Sequence, residues 1–111
     1  MDIKQQKLLK DIYDCIEHIE NYLGNSQLFD AYDSNALLQD AVERNSITIG
    51  EAMSALLKLN EKIAITNSRK IVDARNKLTH GYGEIENVQI LNIIINYLPT
   101  LKKEVAQLLS N

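Results

Sequence analysis

The sequence predicts an all-α protein, an antiparallel bundle of four main helices with a short extra helical turn over 27–32. Two observations carry that prediction. Apolar residues recur at three-, four- and five-residue steps along almost the whole chain, with no sustained period-two alternation of the kind a strand needs. The single proline and four glycines form no linker, and no segment repeats. With 111 residues, one domain spanning 1–111 is expected.

The first helix follows from Ile3, Leu8, Ile12, Ile16, Ile19 and Leu23, an amphipathic stripe opened by Asp2 as N-cap and closed by Gly24-Asn25. Ser34 is the expected cap of a long second helix, with Leu38, Ala41, Val42, Ile49, Ala52, Met53, Leu56 and Leu59 facing inward. Gly50 sits inside this helix at a cost of about 1 kcal/mol against alanine, which points to close approach by a neighbouring helix. Asn67 or Ser68 opens a third helix with Ile71, Val72 and Leu78 inward, and Gly81 and Gly83 close it. The fourth starts near Glu86-Asn87 and carries Val88, Leu91, Ile94, Ile95 and Leu98; Pro99 is expected to kink or restart it before Leu101, Val105, Leu108 and Leu109.

Composition narrows the function classes. An apolar share of 45% is enough for a core, but a domain this small buries only about two-thirds of its unfolded surface, so pairing would help it. Cys15 is the one cysteine, which forbids an internal disulfide and, with no signal peptide in view, points to a reducing cytoplasm. No apolar run approaches the roughly 20 residues of a membrane span. Two histidines, His18 and His80, and one thiol offer no zinc spacing, and there is no glycine-rich phosphate loop and no GxSxG elbow. No cofactor is expected. The net charge of −3 argues mildly against a protein that coats nucleic acid, yet charge is unevenly spread. Between Lys58 and His80, six basic residues oppose two acidic ones, a local +4 that leaves −7 to the rest. Such a segment can attract phosphate; ordinary charge scatter on a solvated helix face is the plainer explanation.

The stretch Arg75-Asn76-Lys77-Leu78-Thr79-His80-Gly81-Tyr82 concentrates a guanidinium, an imidazole and a phenol at a helix end. Cleaving RNA without a metal requires a proton to leave the 2′-hydroxyl, a cation beside the crowded phosphate, and a proton for the departing 5′-oxygen. Histidine serves as base or acid near neutrality. Arginine holds two phosphate oxygens in one planar fork. Tyrosine donates to phosphate or stacks on a base. On an ideal helix Arg75 and His80 lie about 140° apart, so convergence needs unwinding at Gly81 or a cleft that wraps the helix end. By spacing alone, an arginine and histidine here also read as surface and capping residues, with His80 meeting the helix dipole. Asn76, one turn before His80, is an auxiliary candidate for orienting the imidazole, Lys77 a further RNA contact, and His18 a surface residue.

The segment resembles the R-x4-H-x-Y pattern of the HepT-like branch of the HEPN superfamily. The similarity extends to Ala41-Val42-Glu43-Arg44 with Ile49-Gly50-Glu51-Ala52, to Ile85-Glu86, to Tyr97-Leu98-Pro99-Thr100-Leu101 and to Ile19-Glu20-Asn21-Tyr22-Leu23-Gly24. The resemblance implies a homodimer whose Arg75 and His80 line one cleft and cut RNA without a metal. It implies the toxin half of a type VII-like toxin–antitoxin pair, neutralised when an MntA-type nucleotidyltransferase attaches AMP to Tyr82. Arg44 and Glu51 either pair with each other or leave Arg44 pointing into the cleft, where it would contact RNA. The chain departs from the pattern in the linker Ala64-Ile65-Thr66-Asn67-Ser68, which lacks a Pro-Trp pair. It departs again at Gly81 and Gly83, in place of a glutamate and an aromatic, which opens the pocket. The alternative is a non-catalytic binding module that docks a nucleotidyltransferase and binds nucleotide or substrate; a purely structural dimer is the second rival.

Overall fold

A computed structural model describes residues 2–24, 35–80 and 87–110, with the side chains of 80, 87–88, 90–92 and 94–95 outside the description. Four helices, α1 (Ile3–Leu23), α2 (Ala36–Leu59), α3 (Ser68–His80) and α4 (Asn87–Ser110), make up the fold, and no strand occurs among the described residues. The expected turn over 27–32 and the glycines expected to close α3 lie outside the described residues. None of the described helices is long and apolar enough to cross a membrane.

Each helix end has a local cause. The Asp2 side chain accepts from the Gln5 N–H at 2.8 Å and starts α1. Gly24, at φ 57°, ends it, its N–H donating to Glu20 O at 2.9 Å in a conformation that L side chains rarely adopt. The α2 cap is Asn35, whose side chain accepts from Leu38 N at 3.0 Å, and not Ser34. An Asn carbonyl three residues before the receiving N–H does the job the neighbouring serine was expected to do. Asn67 O accepts from Ile71 N at 3.0 Å at the start of α3. Pro99 does not restart α4, which runs through it as one helix of 24 residues. Leu98 and Leu101, 8% and 2% exposed, anchor the helix on both sides of it, and the proline itself faces solvent.

Helix α2 is central, packing against α1 on one side and α3 on the other, while α4 lies against α1 and touches α2. Leu9, Ile12, Ile16 and Ile19 of α1, Val42, Met53 and Leu56 of α2, and Val105 of α4 are fully buried. Each contributes about 1.5–3 kcal/mol relative to exposure. Ile3 and Leu59 were expected inside and are 83% and 43% exposed. They are the first residue of α1 and the last of α2, where the helices run past the layer that would cover them.

Two polar ties join elements far apart in sequence. His18 stays on the surface, but its Nδ1 lies 3.3 Å from Oδ1 of the buried Asn45. Asn45 Nδ2 donates to Ala41 O at 2.9 Å, which orients the amide so that His18 Nδ1–H is the donor. The linker between α2 and α3 is pegged by buried Ile63 and Ile65. Thr66 follows, giving its N–H to both Glu104 carboxylate oxygens at 3.1 Å and its hydroxyl to Oε2 at 2.6 Å.

The α2–α3 approach is closest at Gly50. A Cβ built there would collide with Cβ and Cγ of Arg75, with Ile71 O next at 3.4 Å. Gly50→Ala is therefore expected to destabilise the fold by about 1–3 kcal/mol in urea denaturation, even though alanine is the better helix former.

Candidate active site at the α2–α3 seam

Helix α3 is short and mostly polar, and it presents Ile71 to the core with Val72 and Leu78 half-buried against it. Arg75 comes one turn after Ile71, so its stem lies over Gly50 of α2. Only glycine permits that seat. The stem is packed and the head is not neutralised: Arg75 Nε is buried without a hydrogen-bond partner, and Arg75 is in none of the salt bridges formed among the described residues. An N–H donor in this state costs about 1–3 kcal/mol, so the seam carries unused hydrogen-bonding capacity beside a fixed positive charge.

The other motif residues on α3 lie on its outer side. Asn76 and Lys77 are exposed. Thr79 Oγ1 donates back to Arg75 O at 3.0 Å, with Asn76 O at 3.3 Å. His80 is the last residue of α3, and its side chain and all of Tyr82 lie outside the described residues. Earlier residues of α2 meet later residues of α3: Gly50 faces Arg75 and Ile71, whereas Ser46 shares a cleft with Ala74 and Leu78. The two helices are therefore antiparallel, and the C-terminal end of α3 lies beside the first half of α2.

Arg44 does not join Arg75. It is exposed and lines a groove between α1 and α2 with Tyr22, Leu37, Asp40 and Glu43, and no ion pair links it to Glu51. Six residues separate Arg44 from Gly50, a rotation of about 240°, so the two point to different sides of α2. In the same groove, burial and then the neighbouring Asp40 push the Glu43 carboxyl above its ordinary value.

Sequence reasoning passed over Ser46. Its hydroxyl is buried without a hydrogen-bond partner on the wall of an apolar cleft formed with Ile49, Ile71, Ala74, Leu78, Tyr97 and Leu98. The available signal was a polar residue four before Gly50, on the same face of α2. The Thr66–Glu104 clamp, bridging 38 residues, left no local signal.

The arrangement defines a helical bundle that holds, at a helix–helix seam within the locally basic stretch from Lys58 to His80, an arginine with no ion-pair partner among the described residues. The family model described as Ribonuclease HepT-like matches residues 12–108, and this chain belongs to that family. No solved structure matches the chain.

Glu43 supplies a pH test. Its folded-state value lies above the unfolded one, so the folded form binds the proton more tightly. Stability then falls as pH rises through the ordinary carboxylate value to the raised one. Glu43→Gln is expected to raise the melting temperature at neutral pH, and the gain is expected to vanish near about pH 3, where both states are protonated.

Proposed function

We propose that this protein is a metal-independent endoribonuclease, the toxin of a toxin–antitoxin pair, working in the cytoplasm as a homodimer of single-domain chains. One observation carries the reading: Arg75 is locked over Gly50 with an unpartnered Nε–H, in a chain that belongs to the HepT-like ribonuclease family.

In the mechanism, the Arg75 fork holds two oxygens of the scissile phosphate and offsets the charge that builds as the 2′-hydroxyl attacks phosphorus. His80 takes the 2′-hydroxyl proton as base. The P–O5′ bond breaks to leave a 2′,3′-cyclic phosphate, and the 5′-oxygen takes a proton from an acid. One chain brings one imidazole. A two-fold pair of chains with both motifs on one groove brings two, one for each proton transfer. Asn76, Lys77 and Tyr82 line the RNA path beside the motif. Arg44 faces a different side of its own subunit's α2, so its contact with RNA requires a strand that extends beyond the motif.

Tyr82 is the site at which a nucleotidyltransferase antitoxin attaches AMP. The added phosphate is an anion next to Arg75, and it competes with RNA for the same guanidinium.

Purified protein incubated with RNA in EDTA tests the reading. Wild type is expected to cleave, His80→Ala to lose at least about 10²-fold in rate, and Arg75→Lys to fail as well, because a point charge does not reproduce the fork. Unchanged cleavage by His80→Ala would remove the mechanism. Absence of cleavage by wild type, with tight binding to a nucleotidyltransferase, would leave the non-catalytic binding module instead. Mass spectrometry of the protein co-expressed with its antitoxin is expected to show AMP increments on Tyr82; an inactive toxin with unmodified Tyr82 contradicts the neutralisation step.

A further inference from the structure

Helix α3 sits on α2 through apolar side chains, Ile71, Ala74 and Leu78 with Ile49 opposite them. Contacts of this kind are non-directional, so they resist separation of the two helices better than sliding of one along the other. Arg75 cannot tolerate sliding. Its stem fills the place that a Cβ of Gly50 would take. A displacement of α3 by about 1.5 Å, one residue's rise, carries the stem off the glycine and toward residues of α2 that have side chains. The register of α3 on α2 therefore calls for a directional contact.

Among the described residues, the only side-chain hydrogen bonds that join α3 or its preceding linker to another helix are those between Thr66 and Glu104. No ion pair does so. The Thr66 N–H is shared by both Glu104 oxygens at 3.1 Å, and the Thr66 hydroxyl donates to Oε2 at 2.6 Å. Two donors on one planar carboxylate fix direction as well as distance. The anchor is firm, because Leu101, one turn earlier on α4, is 2% exposed and the adjacent Val105 is fully buried. The point held is also the right one. Thr66 precedes Asn67, whose carbonyl accepts from Ile71 N at 3.0 Å in the first turn of α3, and no proline stiffens the linker.

We propose that Glu104 is a positioning residue for Arg75: its carboxylate, by holding Thr66, sets the register of α3 on α2 and so seats the Arg75 stem over Gly50. It acts through Thr66 and the helix, not by contact with RNA. The proposal rests on the ribonuclease reading for its effect on cleavage. Thr66 is exposed, so water competes for the carboxylate and the clamp contributes little to global stability. Its effect lies in where α3 sits.

The whole chain is compared as wild type, Glu104→Ala, Glu104→Gln, Thr66→Ser and Ile16→Val, the last a core change on α1 that lowers the melting temperature. One readout is exchange of the Arg75 Nε–H with water, followed by proton–nitrogen NMR and assigned with Arg75→Lys. The other is the single-turnover cleavage rate at saturating RNA, with affinity measured separately at one fixed salt concentration. Glu104→Ala is expected to speed the exchange and slow cleavage, each about tenfold, with affinity near that of wild type. Glu104→Gln keeps one carbonyl acceptor and is expected to show the same changes at smaller amplitude, which carries the test if Glu104→Ala does not fold. Thr66→Ser keeps both donors and is expected to match wild type, and Ile16→Val to lower the melting temperature with neither readout changed. If the Glu104 variants lower the melting temperature but leave the exchange or the cleavage rate unchanged, the clamp is structural only and the proposal is overturned. Losses in Thr66→Ser as large as those in Glu104→Ala overturn it too. If wild type does not cleave, the ribonuclease reading falls on its own, and the exchange measurement still decides whether Glu104 seats Arg75.

Discussion

The contact between Gly50 and the stem of Arg75 governs the rest of the molecule's design. Helices packed through ordinary side chains keep their axes 8–10 Å apart. Removing the side chain at one point of α2 lets α3 come close enough for an arginine stem to be pressed between two backbones. That fixes the arginine at its base, where most surface arginines are free to sweep several rotamers, and it withdraws Nε from solvent without giving it a partner. A cation held at its stem, with one buried and unpartnered N–H, is poor for stability and well suited to binding an anion.

Helix α3 cannot hold that geometry alone. With 13 residues it is near the lower limit for a stable isolated helix, and its apolar face is narrow. Its position comes from both sides. Ile71 is packed into the core, Ile63 and Ile65 of the preceding linker are buried, and Thr66 is clamped by the Glu104 carboxylate. That carboxylate lies at the start of α3, the positive end of its dipole. The restraints cluster before the first turn of the helix and at its middle, where they hold Arg75 over Gly50.

Electrostatics follow the same division. The body of the protein is acidic, and its surface ion pairs, Lys7–Asp11, Lys10–Asp14 and Lys102–Glu20, are exposed contacts of small energetic weight. The largest basic excess lies at the end of α2, in the linker and on α3. An acidic body with a basic edge repels nucleic acid from most approaches and admits it at one. A ribonuclease gains orientation from such a distribution, where uniform basic charge would give only adhesion.

The sequence alone determined the number and type of helices, the caps Asp2 and Gly24, and the core stripes of α1 and α2, because these depend on interactions between residues three or four apart. It also marked Gly50 as a place of close approach, and it singled out 75–82 as the candidate segment for chemistry. It misjudged Ile3, Leu59 and the capping role of Ser34, all at positions where a neighbouring element or an adjacent residue decides the outcome. Only the tertiary structure decided which side chain fills the space left by Gly50, that Arg44 belongs to a groove on another side of α2, and that the Ser46 hydroxyl is buried without a partner. Those facts depend on how α2 meets α1 and α3. Helical periodicity states which residues face inward, but the axial register between two helices is set by the packing of both surfaces at once, and no single segment encodes it.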